Sequence, residues 1–482
     1  MRVLQVSAEI FPLLKTGGLA DVCGALPQAL LAAGAEVRVL LPGFAAILDD
    51  LEDPQPLAQG QAPWGEPYTL RFGRLQSLGV LAYVIDAPAL YLRPGTPYED
   101  TWRRPFADNY RRFALLGWVA AQLAQGVDAH WHPRVVHSHD WHAGLSSAYM
   151  TFAPPQRAHV ASVFTVHNLA YQGLFAPRHF YELGLPDAAF GMEGLEFHGQ
   201  LSFMKAGLYY ADHITTVSPT YAAEIQTPAQ GCGLDGLLRA RAGELTGILN
   251  GVDESVWDPA CDPALPHTYD TQRMAGKAKC KTALQQALGL RVQDDAPLFG
   301  VVSRLTEQKG LHLVLEVADE VLARGGQWVV LGSGEAPLET ALRHLAQEHP
   351  HAVSVTLGYD EDLAHRIFGA TDVTVVPSRF EPCGLTQMYG LKYGSLPLVH
   401  HVGGLADTVV DCSLEHLAEE TANGFVFHHF EAASMRRAVA RAFALWARKA
   451  EWKTVRARAM SQPLGWDKAA AQYLTLYRSL CL

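Results

Sequence analysis

Short β-rich runs alternate with helical patterns along almost the whole chain, and this alternation leaves few folds open. The first half reads RVLQVS, then LADVCGALPQALLAAG, then EVRVLLP, with later strand candidates at VLAYVID, RVVHSH, ASVFTVH and HITTVS. The second half reads LFGVVSR, QWVVLGS, AVSVTLG, DVTVVPS and LPLVHH, separated by helices such as LHLVLEVADEVLARG and PLETALRHLAQEH. Near-continuous apolar strands between helices predict parallel sheets covered on both faces, an α/β chain of the doubly wound type. At 482 residues the chain exceeds the roughly 250 to 300 at which one core stops growing, so two such units are expected. The boundary falls in ILNGVDESVWDP, residues 248–259, where Asn250-Gly251 and Asp258-Pro259 break the pattern. One domain is thus placed over 1–248 and a second over 249–460. In residues 461–482, Trp466, Ala470, Tyr473 and Tyr477 share one helical side, which predicts a last helix packed back on the first domain.

Composition removes several alternatives. A hydrophobic fraction of 49% with 18% charged residues suits a compact protein, without disorder or a coiled coil. The longest uncharged apolar stretch, FALLGWVAAQLA at 113–124, is shorter than the roughly 18 to 20 residues that cross a bilayer, and reads as a core helix. Glu9 sits where an export signal needs its apolar centre, so a cytoplasmic location without a membrane partner is expected. The seven cysteines contain no C-x-x-C pair, which suits a reducing compartment. A formal net charge of -11 argues against a nucleic-acid surface. The basic segment 436–460 carries Met435, Val439, Phe443 and Trp446 at helical spacing, so its arginines read as a solvated face.

In doubly wound sheets ligands bind beyond the carboxyl ends of the strands, so the informative residues are those just after strands. FPLLKTGGLADV follows the first strand. Its Lys15 precedes Gly17 and Gly18 at a helix start, where open backbone, free amides and a full charge favour an anion; a tight turn explains the glycines equally well. Neither the dinucleotide-binding nor the Walker pattern is present. GGLADTV, 403–409, repeats nearly the same letters, as expected of a ligand gripped between two domains, or of coincidence. HSHDWHAG and FTVHNLAYQG offer Asp140 and His167 as hydroxyl contacts; capping or core histidines are the alternative, and no zinc pattern accompanies them. VSRLTEQKG supplies Arg304 and Lys309, two cations able to neutralise a diphosphate and the charge that grows as it leaves. GSGE, 332–335, is a weak nucleotide signal. In SRFEPCGL, Glu381 can accept hydroxyl protons beside the amides of Cys383, Gly384 and Leu385, a donor and acceptor set that fits a sugar. Cys383 has no activating base by spacing and reads as a packed small residue.

KTGGLADV, HSHDWHAG, FTVHNLAYQG, LNGVD, VSRLTEQKG, SRFEPCGLTQMYG and GGLADTV, in this order over nearly the full chain, resemble the bacterial glycogen synthases of glycosyltransferase family 5, relatives of plant starch synthases. The resemblance implies a GT-B architecture, two Rossmann-like domains facing across a cleft. It implies transfer of glucose from ADP-glucose to the non-reducing end of an α-1,4-glucan with retention, and neither metal nor cofactor. Carried over by motif, Lys15, Gly17 and Gly18 are donor contacts and Asp21 shapes their loop. His167 lies next to the reacting sugar, with Asp140 and Asn250 at matching polar positions. Arg304 and Lys309 form the diphosphate clamp and Tyr359 lies against adenine. Glu381 with the backbone from Cys383 through Gly384 and Leu385 to Thr386 holds the glucosyl hydroxyls. Tyr98 is the acceptor-side candidate. Retaining relatives often carry a second glutamate where this chain has Tyr389. No nucleophile and acid carboxylate pair of the glycosidase kind is evident, so a front-face substitution is expected, in which the departing ADP oxygen takes the acceptor's proton.

Overall fold

The structure, a computed structural model, describes residues 1–154 and 159–481. It divides into two units: Met1–Gly251 together with the segment beginning at Trp466, and Val252–Gly465.

The first unit is built on β1 Arg2–Val6, β2 Glu36–Pro42, β3 Leu51–Gln61, β4 Pro67–Leu75, β5 Leu81–Asp86, β6 Val135–His139 and β7 Ala161–Val166. A small antiparallel sheet of β8 Leu174–Phe175, β9 Glu196–Phe197 and β10 Gln200–Ser202 stands apart, and β11 His213–Thr216 and β12 Leu245–Gly247 complete the main sheet. The main order is β12-β11-β7-β6-β1-β2-β5-β4-β3. All pairs are parallel except β3 with β4 and β4 with β5, so the sheet is mixed at one edge rather than wholly parallel as expected. The reason lies in LEDPQPLAQGQ, whose Pro54, Pro56 and Gly60 read as loop; an edge strand with irregular register tolerates them. Strand order reverses at β1, between β2 on one side and β6 on the other, a switch point of the kind at which doubly wound folds bind ligands.

FALLGWVAAQLA lies within the helix Asn109–Ala124, buried on nearly every side. Arg112 in this helix is 1% exposed and donates to Leu90 O, Pro97 O and Asn109 Oδ1, which fixes the loop leading into Tyr98. The helix Trp466–Leu480 buries Trp466, Ala470, Tyr473 and Tyr477 in one cluster with Val3, Val22, Leu26 and Leu30. Each of the large side chains contributes about 1.5 to 3 kcal/mol on burial, so this helix is part of the first unit's core.

The second unit holds β13 Leu298–Val302, β14 Gln327–Gly332, β15 Val353–Leu357, β16 Val373–Val376, β17 Leu396–His400 and β18 Phe425–Phe427. They form one parallel sheet in the order β15-β14-β13-β16-β17-β18, with its reversal between β13 and β16. The basic segment is two helices, Ala432–Ala447 and Lys449–Met460, broken at Arg448. Met435 and Val439 are buried as expected, while Arg441 reaches Asp411 and Val426 O instead of lying free in solvent.

β6 and the turns after β6 and β7 carry an unusual load for the middle of a sheet. His137, His139, His142 and His167 are all buried, and burial pulls their protonation down: to about 3 for His137, His142 and His167, and well below the usual value for His139. These rings take protons near pH 6.5 in the unfolded chain and refuse them in the fold. Their contribution to stability is therefore complete above that pH and lost as pH falls toward 3. Asp140 opposes them, because burial raises its carboxyl from 3.8 to about 7, a contribution present at low pH and lost as pH rises to 7. Four imidazoles outweigh one carboxyl. Thermal melts should show a net loss on the order of 3 kcal/mol between about pH 7.5 and 5.5; a melting temperature that is flat over this interval would contradict the buried neutral rings.

Candidate active site

In the first unit the loop after β1 is tied down by Glu9, a residue that is 2% exposed. Its carboxylate accepts from Thr16 N at 2.6 Å, from Thr16 Oγ1 at 2.5 Å and from the Tyr98 hydroxyl. That carboxylate anchors the loop bearing Lys15. Lys15 Nζ lies 2.9 Å from Asp21 Oδ1 in the first turn of the helix Gly18–Ala32, where a carboxylate also suits the helix dipole. A side chain added at Gly17 or Gly18 would meet nothing within 4 Å, and Gly17 has an extended backbone that any residue adopts. Neither glycine is required by the protein's own packing.

After β6 the chain enters the left-handed region at Asp140, φ 58°, and begins the short helix Asp140–Ala143. Aspartate tolerates this conformation better than most residues. Asp140 Oδ1 accepts from His167 N at 2.8 Å and Asn168 N at 3.4 Å, so the turn after β6 sets the backbone of the turn after β7. His167 Nε2 lies 3.0 Å from His139 Nδ1. Tyr98 has its hydroxyl on Glu9 and its ring stacked on His142 at 4.8 Å, which commits it first to supporting the Lys15 loop. Asn250, 6% exposed, follows β12, and its buried Oδ1 has no hydrogen-bond partner among the described residues.

In the second unit Lys309 Nζ meets Glu381 Oε2 at 2.5 Å, and Ser378 Oγ donates to the same oxygen at 2.8 Å. The loops after β13 and β16 are stitched together by Gln308, whose Nε2 donates to Phe380 O and whose carbonyl accepts from Arg379 N. Arg304 is exposed on the same loop as Lys309, with Nη2 3.4 Å from Gln308 Oε1. Glu381 is 9% exposed and Cys383 5%, so the thiol is packed, as its spacing indicated. Gly384 turns the chain with φ 71° before the helix Thr386–Lys392, and Gln387 Nε2 clamps the turn through Cys383 O and Gly384 O. Gly384, Leu385 and Thr386 remain half-buried.

The glycine repeat proves to have a different basis here. Gly403 has φ 45°, and a side chain on it would reach 2.0 Å from Glu381 O; one on Gly404 would reach 2.0 Å from Cys383 O. These two glycines exist to let the Glu381 segment lie against them. In GSGE, likewise, Gly332 and Gly334 make room for Ser303 O and Leu305 O. Tyr359 follows the edge strand β15, two strands from β13; it is 75% exposed and its hydroxyl donates to Glu361. Tyr389 stacks on Trp257 at 3.8 Å and is a packing residue. Among the described residues no three of His, Cys, Asp and Glu converge as a metal site, and no helix is long and apolar enough to cross a membrane.

The residues that motif reading passed over are Glu9, Gln5, His139 and Ser378. A signal for Gln5 and His139 was present, since each is a polar residue inside or at the end of a buried strand; Glu9 lies in the loop after β1 and carried none.

Comparison with known proteins covers the chain from end to end. Residues 2–240 match the family model of the starch synthase catalytic domain, and residues 288–456 that of glycosyl transferases group 1. A glycogen synthase from Variovorax paradoxus is 64% identical over 99% of this chain and 98% of that protein. One from Edwardsiella ictaluri is 57% identical over the whole of both. Among solved structures, the catalytic domain of starch synthase IV from Arabidopsis thaliana, bound to ADP and acarbose, superposes with a TM-score of 0.89 at 30% identity, covering 100% of this chain and 99% of that one. A sucrose-phosphate synthase from Thermosynechococcus elongatus shares the fold, with a TM-score of 0.59 at 19% identity. With two doubly wound units and relatives matched from end to end, the chain belongs to the glycogen synthases, the bacterial relatives of the plant starch synthases, and has their GT-B fold.

Proposed function

We propose that this chain transfers glucose from ADP-glucose to the non-reducing end of an α-1,4-glucan with retention, elongating glycogen. The observation that carries this reading is the Lys309–Glu381 pair at the strand-order reversal of the second unit, in a chain 64% identical to a glycogen synthase. A fixed cation beside a carboxylate suits a ligand that is anionic at one end and rich in hydroxyls at the other, as a sugar diphosphate is.

In the proposed reaction the bond from the anomeric carbon to the diphosphate breaks and a bond to the acceptor oxygen forms on the same face. The acceptor's proton passes to the departing phosphate oxygen. Arg304 and Lys309 stabilise the charge that accumulates on that oxygen, and Glu381 accepts from the glucosyl hydroxyls beside the turn from Cys383 to Thr386. Lys15 adds charge, and the open backbone at Gly17 and Gly18 lets the donor approach. His167 sits beside the reacting sugar, its backbone held by Asp140; Asn250 offers a polar contact, Tyr359 a face for adenine, and Tyr98 supports the acceptor side. Since Lys309 is already paired with Glu381, the diphosphate must share this ammonium with the carboxylate that orients the sugar. Charge neutralisation and sugar positioning are thereby coupled.

Three measurements test the reading. ADP release should need ADP-glucose and glucan together; comparable release without glucan would mean hydrolysis, and none with both would reject the transfer. Lys309→Ala and Arg304→Ala should each slow turnover by about 3 to 4 kcal/mol, roughly 10²- to 10³-fold, and near-normal turnover in both would overturn the clamp. Gly17→Ala should lower the melting temperature only slightly, as an N-cap change does, and raise the KM for ADP-glucose, whereas Gly403→Ala should lower the melting temperature much more; the reverse pattern would remove Gly17 from the donor site.

A further inference from the structure

Gln5 on β1 and His137 and His139 on β6 are buried polar side chains to which the roles above assign nothing. Their hydrogen bonds form one line. Tyr477, on the helix Trp466–Leu480, has its hydroxyl 2.7 Å from His137 Nδ1 and 3.2 Å from Gln5 Nε2. An amide nitrogen only donates, so the Tyr477 oxygen accepts from Gln5. The same nitrogen lies 3.2 Å from His137 Nδ1, so Nδ1 is an acceptor and takes the Tyr477 proton. His137 then keeps its proton on Nε2, 2.5 Å from Thr165 Oγ1. With its nitrogen so engaged, Gln5 turns Oε1 toward His139 Nε2 at 2.5 Å, and that contact needs a proton on His139 Nε2. Burial keeps these rings neutral, with one N–H each. His139 Nδ1 is therefore bare, and its 3.0 Å contact with His167 Nε2 must be made by a proton on His167.

We infer that His139 is a positioning residue for the transfer: through it, Gln5 and Tyr477 hold His167 as the Nε2–H tautomer with its ring orientation fixed. This rests on the reading that puts His167 beside the reacting sugar. The remaining nitrogen, Nδ1, is then an acceptor only. It suits a sugar hydroxyl and disfavours a phosphate oxygen, so the tautomer sorts one part of the donor from the other. The last helix of the chain reaches the site through this line of hydrogen bonds, without touching it.

The tautomer is measurable in the full chain labelled with ¹⁵N-histidine, by long-range proton–nitrogen correlation, with His167 assigned from the signals lost in His167→Gln. A pyrrole-type Nε2 and pyridine-type Nδ1 are expected. A reversed Gln5 amide would place every proton in the line on the opposite atom, so a proton on His167 Nδ1 overturns the inference. In parallel, His139→Leu should lower kcat roughly 10- to 100-fold with KM for ADP-glucose little changed, while His139→Asn, which keeps an oxygen near the Nδ1 position, recovers most of it. Wild-type kcat in the leucine variant, or equal loss in both variants, overturns the positioning role. Should the leucine variant fail to fold, the wild-type tautomer decides. If the wild type releases no ADP, the transfer reading fails, and the nitrogen signals still decide whether Gln5, His139 and Tyr477 set the ring.

Discussion

The structure depends on parallel strand pairing. When neighbouring strands run the same way, their carboxyl ends collect along one edge, and where strand order reverses two adjacent loops diverge and leave space for a ligand. In the first unit this gathers Lys15 after β1, Asp140 after β6 and His167 after β7. In the second it gathers Arg304 and Lys309 after β13 and Glu381 after β16. The same pairing buries both faces of the sheet, so any polar side chain placed within it must find partners inside the protein. Gln5, His137, His139 and Thr165 are satisfied by one another and by Tyr477. Core satisfaction and site construction are one problem here.

The two glycine loops show how identical letters answer different demands. At Gly17 and Gly18 the space where a side chain would stand is empty, so the protein's own packing does not call for a glycine at either position. At Gly403 and Gly404 that space is filled by the backbone of Glu381 and Cys383. One pair keeps a surface open, and the other presses a carboxylate-bearing segment into place.

The alternation of strands and helices made the fold class legible, because each buried strand announces itself by an apolar run and each helix by its period. LEDPQPLAQGQ did not read as strand, since prolines and polar residues mask an edge strand that needs only half its hydrogen bonds. The break at Arg448 was hidden because the apolar spacing continues across it. In the site, Lys15, Asp140, His167, Arg304, Lys309 and Glu381 stood out by falling just after strands. Glu9 did not, because its partners Thr16 and Tyr98 are set by folding and Tyr98 lies 89 residues away. His139 was visible only as one of several histidines; it reaches Tyr477 through Gln5, which lies 472 residues from that tyrosine in the chain.

The first unit is discontinuous, since its core includes a helix encoded after the whole of Val252–Gly465. On a ribosome adding about 5 to 20 residues per second, the intervening stretch delays that helix by roughly 10 to 40 s. Through that interval the nascent amino-terminal lobe waits with an uncovered apolar strip along the helix Gly18–Ala32 and with Gln5 and His137 lacking their phenolic partner. Maturation of this enzyme is therefore ordered in time by its gene: the whole carboxyl-terminal lobe is encoded before the helix that the lobe made first still lacks, and translation of that helix completes the first lobe.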